Sequence, residues 1–258
     1  VFVFRTLDDC RHIASYARQC QRAVVIGGGL LGLEAAKGLM THHLDVTVVE
    51  MAPYLMSVQL DEAGGKVLGQ TIERLGIHIR TATTTKEIVG HPHVTAVRFA
   101  DGTEIPADMV VIAAGIRPNI DLARECGLAC ERAIVVDDQL RTSDPNIYAV
   151  GECVQHNGVV YGLVAPIWEQ TKVLARVLTG SDPHARYTGS RIATRLKVMG
   201  VDLVSLGRIQ DVQSSDEVVQ FSEPARQVYW KAIIRNGRLH AACLLGDLGP
   251  ADQLQRLF

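Results

Sequence analysis

The amino-acid sequence predicts an α/β fold, on three observations. A short apolar strand at residues 23–26 breaks into three glycines that open a helical pattern. A second apolar strand at 45–50 ends on an acid. Beyond Tyr187 the helical periodicity gives way to strands separated by turn signals. With 258 residues the chain has room for about two domains, each with its own core.

The elements follow in order. Val1-Phe2-Val3-Phe4 reads as a strand, and Asp8 to Gln19 carries Ile13, Tyr16 and Ala17 at helical spacing. Ala23-Val24-Val25-Ile26, a helix from Leu30 to Met40 and Asp45 to Glu50 make one strand–helix–strand unit. Asp61 to Leu75 supplies a second crossover helix, weakened by Gly64 and Gly65, and Ile77-His78-Ile79 a third strand. The pattern then changes to strands alone: 83–89, 93–99 and 103–105 form a predicted meander, with turns at His91-Pro92 and Asp101-Gly102. Met109 to Ala113 returns to the parallel sheet. Past Pro118 come a short helix, strands at Ala133 to Val136 and Ile147 to Val150, and a helix from about Ala165 to Leu178. Residues 192–208, 217–221, 227–235 and 238–245 read as strands of a small β-rich domain, with Asn236-Gly237 as a hairpin turn.

Composition narrows the function. Apolar residues make up 47% and charged residues 21%, as in an ordinary soluble protein. The longest apolar runs, such as 108–116, are far too short to span a bilayer, and no charged-then-apolar leader opens the chain, so a cytoplasmic location is expected and no membrane partner. Lys and Arg total 26 against 28 Asp and Glu, with no basic stripe, which argues against nucleic acid. The six cysteines are scattered and form neither a zinc knuckle nor a dithiol motif, and the histidines are dispersed, so no metal site is expected. No Ser–His–Asp arrangement or carboxylate pair emerges. The opening on Val1 and the ending on Leu257-Phe258 read as a piece of something longer, part of whose active site lies elsewhere.

The chemistry begins at Gly27-Gly28-Gly29-Leu30-Leu31-Gly32, a G-x-G-x-x-G placed directly after a strand and opening a helix. Gly27 allows the tight turn, Gly29 lets a diphosphate approach the backbone, and Gly32 lets the helix pack on the sheet, while the helix N-terminus offers amides and positive dipole. This is a Rossmann-type unit. Its acid is due about 20 residues on, to hold the adenine ribose hydroxyls, and Glu50 stands there. No Arg follows Glu50 closely to bind a 2′-phosphate, so NADH is favoured over NADPH. The competing reading is a glycine-rich turn on a unit that binds nothing.

Residues 23–35, Val111 to Asn119 and Ile147 to Glu152 together resemble the successive signatures of the pyridine-nucleotide flavoprotein reductases. The resemblance implies an NAD domain with a β-meander inserted in a partial FAD domain: a FAD-domain remnant at 1–20, the NAD domain at 21–115, the rest of the FAD domain at 116–185, and the small domain at 186–258. Leu55 to Asp61, Gly151-Glu152-Cys153, Tyr161 to Gln170 and Leu196 to Asp202 are similar to one branch, the large subunits of NAD(P)H-dependent nitrite reductases and related electron-transfer subunits of assimilatory nitrate reductases.

From that resemblance come further site residues. Ala114 and Gly115 would let backbone lie close to a nucleotide. Gly151 and Glu152 would hold the flavin's ribityl and phosphate portion, with Glu where the family more often has Asp. Val164 and Ala165 would open a helix aimed at the flavin pyrimidine edge, with Trp168 beside the isoalloxazine; a Trp packed into the core is the plainer account of that residue. Glu34 would approach the nicotinamide, or stand as a solvated first-turn acid. Arg5 would touch the flavin nucleotide, or be a surface residue at a strand edge. No residue is singled out as an acid–base catalyst, because the cofactors carry the chemistry.

The implied activity is a FAD-dependent reductase passing electrons from NADH toward nitrite, with sirohaem and an iron–sulfur cluster in other parts of the parent protein and downstream redox domains or a subunit as partners. A chain lacking the family's FAD glycine motif is expected to hold FAD poorly. A ferredoxin-, rubredoxin- or nitrate reductase-associated NADH reductase is the alternative enzyme, and a nucleotide-binding interaction module without turnover the alternative of another class.

Overall fold

A computed structural model describes residues 1–258. The chain divides into two compact units, Val1–Gly115 with Ala193–Phe258, and Ile116–Ile192.

The first unit begins with β1 (Phe2–Val3) and α1 (Leu7–Ala17). Thr6 caps that helix: its hydroxyl accepts from Asp9 N at 3.1 Å, and the Asp9 carboxylate accepts from Thr6 N at 2.7 Å. This reciprocal capping box fixes where the helix starts. Then come β2 (Arg22–Ile26), α2 (Leu30–Met40), β3 (Asp45–Val49), α3 (Glu62–Arg74) and β4 (His78–Arg80). The meander is β5 (Thr85–Val89), β6 (Ala96–Phe99) and β7 (Glu104–Pro106), an antiparallel three-stranded sheet, after which β8 (Met109–Ile112) returns to the first sheet.

That first sheet is parallel throughout, in the order β1-β8-β2-β3-β4. β2 and β8 carry unbroken apolar runs, and β3 one interrupted only by Thr47, as a parallel sheet covered on both faces demands. β2 lies between β3 and β8, where the chain order reverses, so a crevice opens beyond its C-terminal end.

The second unit contains α4 (Asp121–Glu125), β9 (Ile134–Val136), β10 (Val154–His156), β11 (Val159–Val160) and α5 (Val164–Leu178). The strand expected at Ile147 to Val150 does not form; only an isolated bridge links Tyr148 to Arg141. The strand is displaced to Val154–His156, which pairs in parallel with β9 and is buried at every position. An apolar run becomes a strand only with a partner, and the partner lies at the later segment.

The β-rich segment holds β12 (Ala193–Val198), β13 (Val201–Leu206), β14 (Glu217–Glu223), β15 (Val228–Arg235) and β16 (Arg238–Leu245), closed by α6 (Ala251–Leu257), a helix the sequence reading lacked. The strands form one antiparallel sheet in the order β12-β13-β16-β15-β14. Asn236-Gly237 turns as expected, both residues at positive φ. The 192–208 stretch is split by a second such turn at Met199-Gly200, with φ of +55° and +95°.

This sheet shares a continuous core with the α2–α3 side of the parallel sheet: Val198, Met199, Leu203, Tyr229 and Ile233 lie in one cluster with Leu33, Leu60, Leu68 and Ile72. The reason for Gly64 and Gly65 is here. A side chain at Gly64 would meet the Tyr229 ring at 2.9 Å and one at Gly65 the Tyr54 ring at 2.7 Å. The glycines that lower the helix propensity of α3 admit two aromatic rings against its first turn, and packing overrides propensity.

Candidate functional site

The glycine corner sits at the end of β2, and its neighbours dictate its residues. Gly27 has φ of +120°, and a Cβ there would stand 2.4 Å from the Ala113 carbonyl oxygen. Its N–H donates to Val49 O at 2.8 Å, and Ala113 N donates to Ile26 O at 2.8 Å, so the turn is pinned from both flanking strands. A Cβ on Gly32 would lie 1.9 Å from Gly27 O, which is the close helix-to-strand approach expected of the third motif glycine. Gly29 has nothing within 4 Å of where its Cβ would be. Open space at that glycine, beside the uncapped start of α2, suits a diphosphate drawn to free amides and helix dipole. Leu30 is half-buried and Leu31 exposed along the same first turn.

Glu50 lies directly under this corner. Its Oε2 accepts from Gly28 N at 2.6 Å and its Oε1 from Ala52 N at 2.7 Å. Two backbone donors fix the carboxylate plane and leave further lone pairs on both oxygens for hydroxyl groups. Gly28, an arbitrary position in the motif, has its own constraint: a Cβ would be 2.6 Å from Leu55 Cδ2 and 2.9 Å from Glu50 Cβ. The run of three glycines, rather than the spacing rule, was the signal that could have found it. Arg80 was also unforeseen. Pairing of β3 with β4 brings it beside Glu50, whose N–H donates to Arg80 O at 2.8 Å, while the guanidinium stacks over Phe99 at 4.8 Å.

Glu34 does not stand in solvent as a simple first-turn acid. It is half-buried, and its Oε1 accepts from Met199 N at 3.2 Å, in the turn between β12 and β13. Ala114 and Gly115 are exposed after β8, Gly115 at φ of +100° with open space at its Cα. Arg5 is exposed at the start of α1, its N–H donating to the Asp9 carboxylate at 3.1 Å.

In the second unit Gly151 has φ of +106°, nothing within 4 Å of its Cβ direction, and an N–H donating to Gln170 Oε1 at 3.0 Å. Gln170 is wholly buried and ties the Gly151-Glu152 turn, itself half-buried, to α5, a role the sequence did not reveal. The first turn of α5 has no side-chain cap, so its amides are available. Val164 and Trp168 are 66% and 62% exposed, and Ala165 is exposed between them. The core-packing account of Trp168 is therefore wrong. Pro166 is buried at the third helical position, where the missing N–H costs nothing.

Residues 1–177 match the family model described as pyridine nucleotide-disulphide oxidoreductase. The chain belongs to this family. Residues 193–258 match a second model, the rubredoxin NAD+ reductase C-terminal domain. Among curated relatives of this chain, the NAD(P)H nitrite reductase of Bacillus subtilis (strain 168) is 42% identical over 254 residues, covering 98% of this chain and 31% of that protein. The assimilatory nitrate reductase electron transfer subunit of the same organism is 42% identical, covering 98% of this chain and 33% of that protein. The chain thus spans about a third of the length of these relatives. Among solved structures, a ferredoxin reductase from Rhodopseudomonas palustris superposes with a TM-score of 0.85 at 28% identity, covering 98% of this chain and 63% of that one.

The family is one of FAD-dependent NAD(P)H oxidoreductases, and the residues of this chain fit both groups. The cradle at Gly29 and the Glu50 carboxylate suit a dinucleotide. Within the second unit the open positive-φ glycine at 151 and the uncapped start of α5 suit close backbone approach by a nucleotide, and in the first unit Gly115 is likewise open. No three metal-ligating side chains gather anywhere, and no helix is long and apolar enough to cross a membrane.

Proposed function

We propose that this chain binds NADH at the β2–α2 corner and forms the electron-entry module of a FAD-dependent nitrite reductase. The observation that carries the reading is the pairing of open space at Gly29 with a carboxylate fixed beneath it by Gly28 N and Ala52 N. Gly27, Gly29, Leu30, Leu31 and Gly32 present amides and a close surface to the diphosphate, and Glu50 accepts from the adenine ribose hydroxyls. A 2′-phosphate would meet the Glu50 carboxylate as a like charge, and the guanidinium of Arg80, on the strand beside Glu50, is stacked on Phe99; both favour NADH over NADPH.

When bound, the two cofactors would supply hydride and single-electron transfer chemistry, which the chain's own residues serve by binding and orienting them. On this reading Gly151 and Glu152 of the second unit would hold the flavin nucleotide, and in the first unit Arg5, Ala114 and Gly115 would serve nucleotide binding and Glu34 would lie toward the nicotinamide. Val164 and Ala165, at the positive end of α5, would hold the flavin ring's polar edge, and the exposed Trp168 would pack against the ring. Sirohaem and an iron–sulfur cluster belong to other parts of the parent protein. The nitrite reductase relative at 42% identity supports this acceptor, while the nitrate reductase electron transfer subunit, also at 42%, supports the nitrate reductase-associated alternative.

A rubredoxin-type one-electron carrier is the second reading, favoured by the match of residues 193–258 to the rubredoxin NAD+ reductase C-terminal domain. Anaerobic turnover of the full-length protein with NADH, offering nitrite or rubredoxin, separates the two.

The nucleotide assignment is tested by titrating NADH into this chain. Amide resonances of residues 27–32 are expected to shift, and Glu50→Gln to weaken binding about tenfold, the equivalent of about 1.4 kcal/mol, with a smaller preference over NADPH. Unmoved resonances in that corner would overturn the assignment.

A further inference from the structure

We infer that the C-terminal sheet is a positioning device for the nucleotide corner, acting through Gln210 and the Leu55–Asp61 segment; this rests on the NADH assignment above. The physical chain of contacts is continuous. Gly28 O accepts from Met56 N at 3.0 Å, and Leu55 packs directly against Gly28 Cα. The turn that carries Leu55 and Met56 is gripped at its far end by Gln210, whose Nε2 donates to both Ser57 O at 2.7 Å and Leu60 O at 2.8 Å.

The next residue, Asp61, caps α3 through Gly64 N at 3.0 Å and accepts from Tyr229 Oη and Lys231 Nζ, each at 2.8 Å. On the other flank, Met199 N holds Glu34 of α2. Both strands of support for the glycine turn, the start of α2 and the 55–61 segment, therefore end on β12–β13, β15 or the loop after β13. None of these C-terminal residues belongs to the predicted nucleotide contacts.

Gln210 is the residue through which this can be read without breaking the fold. It is exposed, and its amide does one thing that a shape-matched residue cannot: it donates to two carbonyl oxygens at once. Gln210→Glu keeps the shape and turns the donor into a charge facing those two carbonyls, which pushes the 57–60 turn away and releases Leu55 from Gly28. Gln210→Lys keeps donors at similar reach and rescues. Because coupling is reciprocal, nucleotide binding in turn tightens the C-terminal sheet.

The test is calorimetric titration of this chain with NADH and, separately, with ADP-ribose, which carries the diphosphate and ribose but no nicotinamide. Gln210→Glu is expected to weaken both by about tenfold, the equivalent of about 1.4 kcal/mol, with the thermal midpoint nearly unchanged and Gln210→Lys close to wild type. NADH is expected to slow amide exchange at residues 199–206 in the wild type and less in Gln210→Glu. Equal affinities of wild type and Gln210→Glu for ADP-ribose would overturn the inference. So would a loss of affinity that only tracks a fall in thermal midpoint. If the wild type binds neither ligand, it is the NADH assignment that fails instead.

Discussion

The glycine corner of the first unit and the Gly151-to-Trp168 region of the second are both proposed to meet nucleotides, yet they are built differently. In the corner, Gly27, Gly28 and Gly32 are each fixed by atoms of the same unit, at 1.9 to 2.6 Å from any added Cβ, and only Gly29 is open. In the second region Gly151 has open space, and the apolar start of α5 at Val164 and Trp168 faces outward. The corner is shaped before its ligand arrives. The α5 region holds its backbone through Gln170 but leaves its apolar surface uncovered. Pre-organisation lowers the ordering cost of binding, so the first site is expected to work alone and the second to depend on what covers it.

Substitutions sharpen that contrast. The largest effect is expected for Gly32→Ala, whose methyl would collide with Gly27 O; it should cost about 3 kcal/mol in urea denaturation and abolish NADH binding. Lys231→Met comes next, because it leaves Asp61 partly buried without its cation. A loss of about 2 kcal/mol is expected, below the full value of a buried pair since both side chains keep some solvent contact.

The pH dependence of that pair has a definite sign. Burial works to raise the Asp61 carboxyl, but bonds from Lys231, Gly64 N and Tyr229 outweigh it and hold the group below its ordinary 3.8. The clamp is therefore complete above that value and is lost as pH falls through the lowered one. Denaturation midpoints of wild type and Lys231→Met should differ at neutral pH and converge in strong acid.

Gly151→Ala should cost about 1 kcal/mol from positive φ alone, since no atom blocks the methyl. A loss as large as that of Gly32→Ala would erase the contrast. Trp168→Phe is expected to be smallest, within about 0.5 kcal/mol by the same denaturation measurement. Trp168 fluorescence should be readily quenched by acrylamide in this chain, and FAD added to this chain alone should protect it little.

Local pattern carried much of the fold and the heart of the site. A four-residue apolar strand, three glycines and eleven helical residues from Leu30 to Met40 can be read directly, as can the acid that closes the next strand, because backbone freedom at glycine and the two periodicities are properties of neighbouring residues. The displaced strand at Val154–His156 was not legible, since Ile147 to Val150 has the stronger apolar pattern and only pairing with β9 selects the later segment. The Met199-Gly200 turn was hidden because Met seldom takes positive φ, although the adjacent Gly200 was a usable sign.

The sequence by itself determined the strand–glycine–helix corner, the place of Glu50 and the alternation of strand and helix, all set within a few residues or by a fixed spacing. Tertiary structure alone decided that Gly28 must be glycine beneath Leu55, that Gly64 and Gly65 receive Tyr229 and Tyr54, and that Glu34 and Asp61 are held by the C-terminal sheet. The Gly64, Glu34 and Asp61 contacts join residues more than a hundred positions apart, and even the nearer Gly28–Leu55 and Gly65–Tyr54 pairs follow no helical or strand spacing, so only packing of the folded chain chooses the partner.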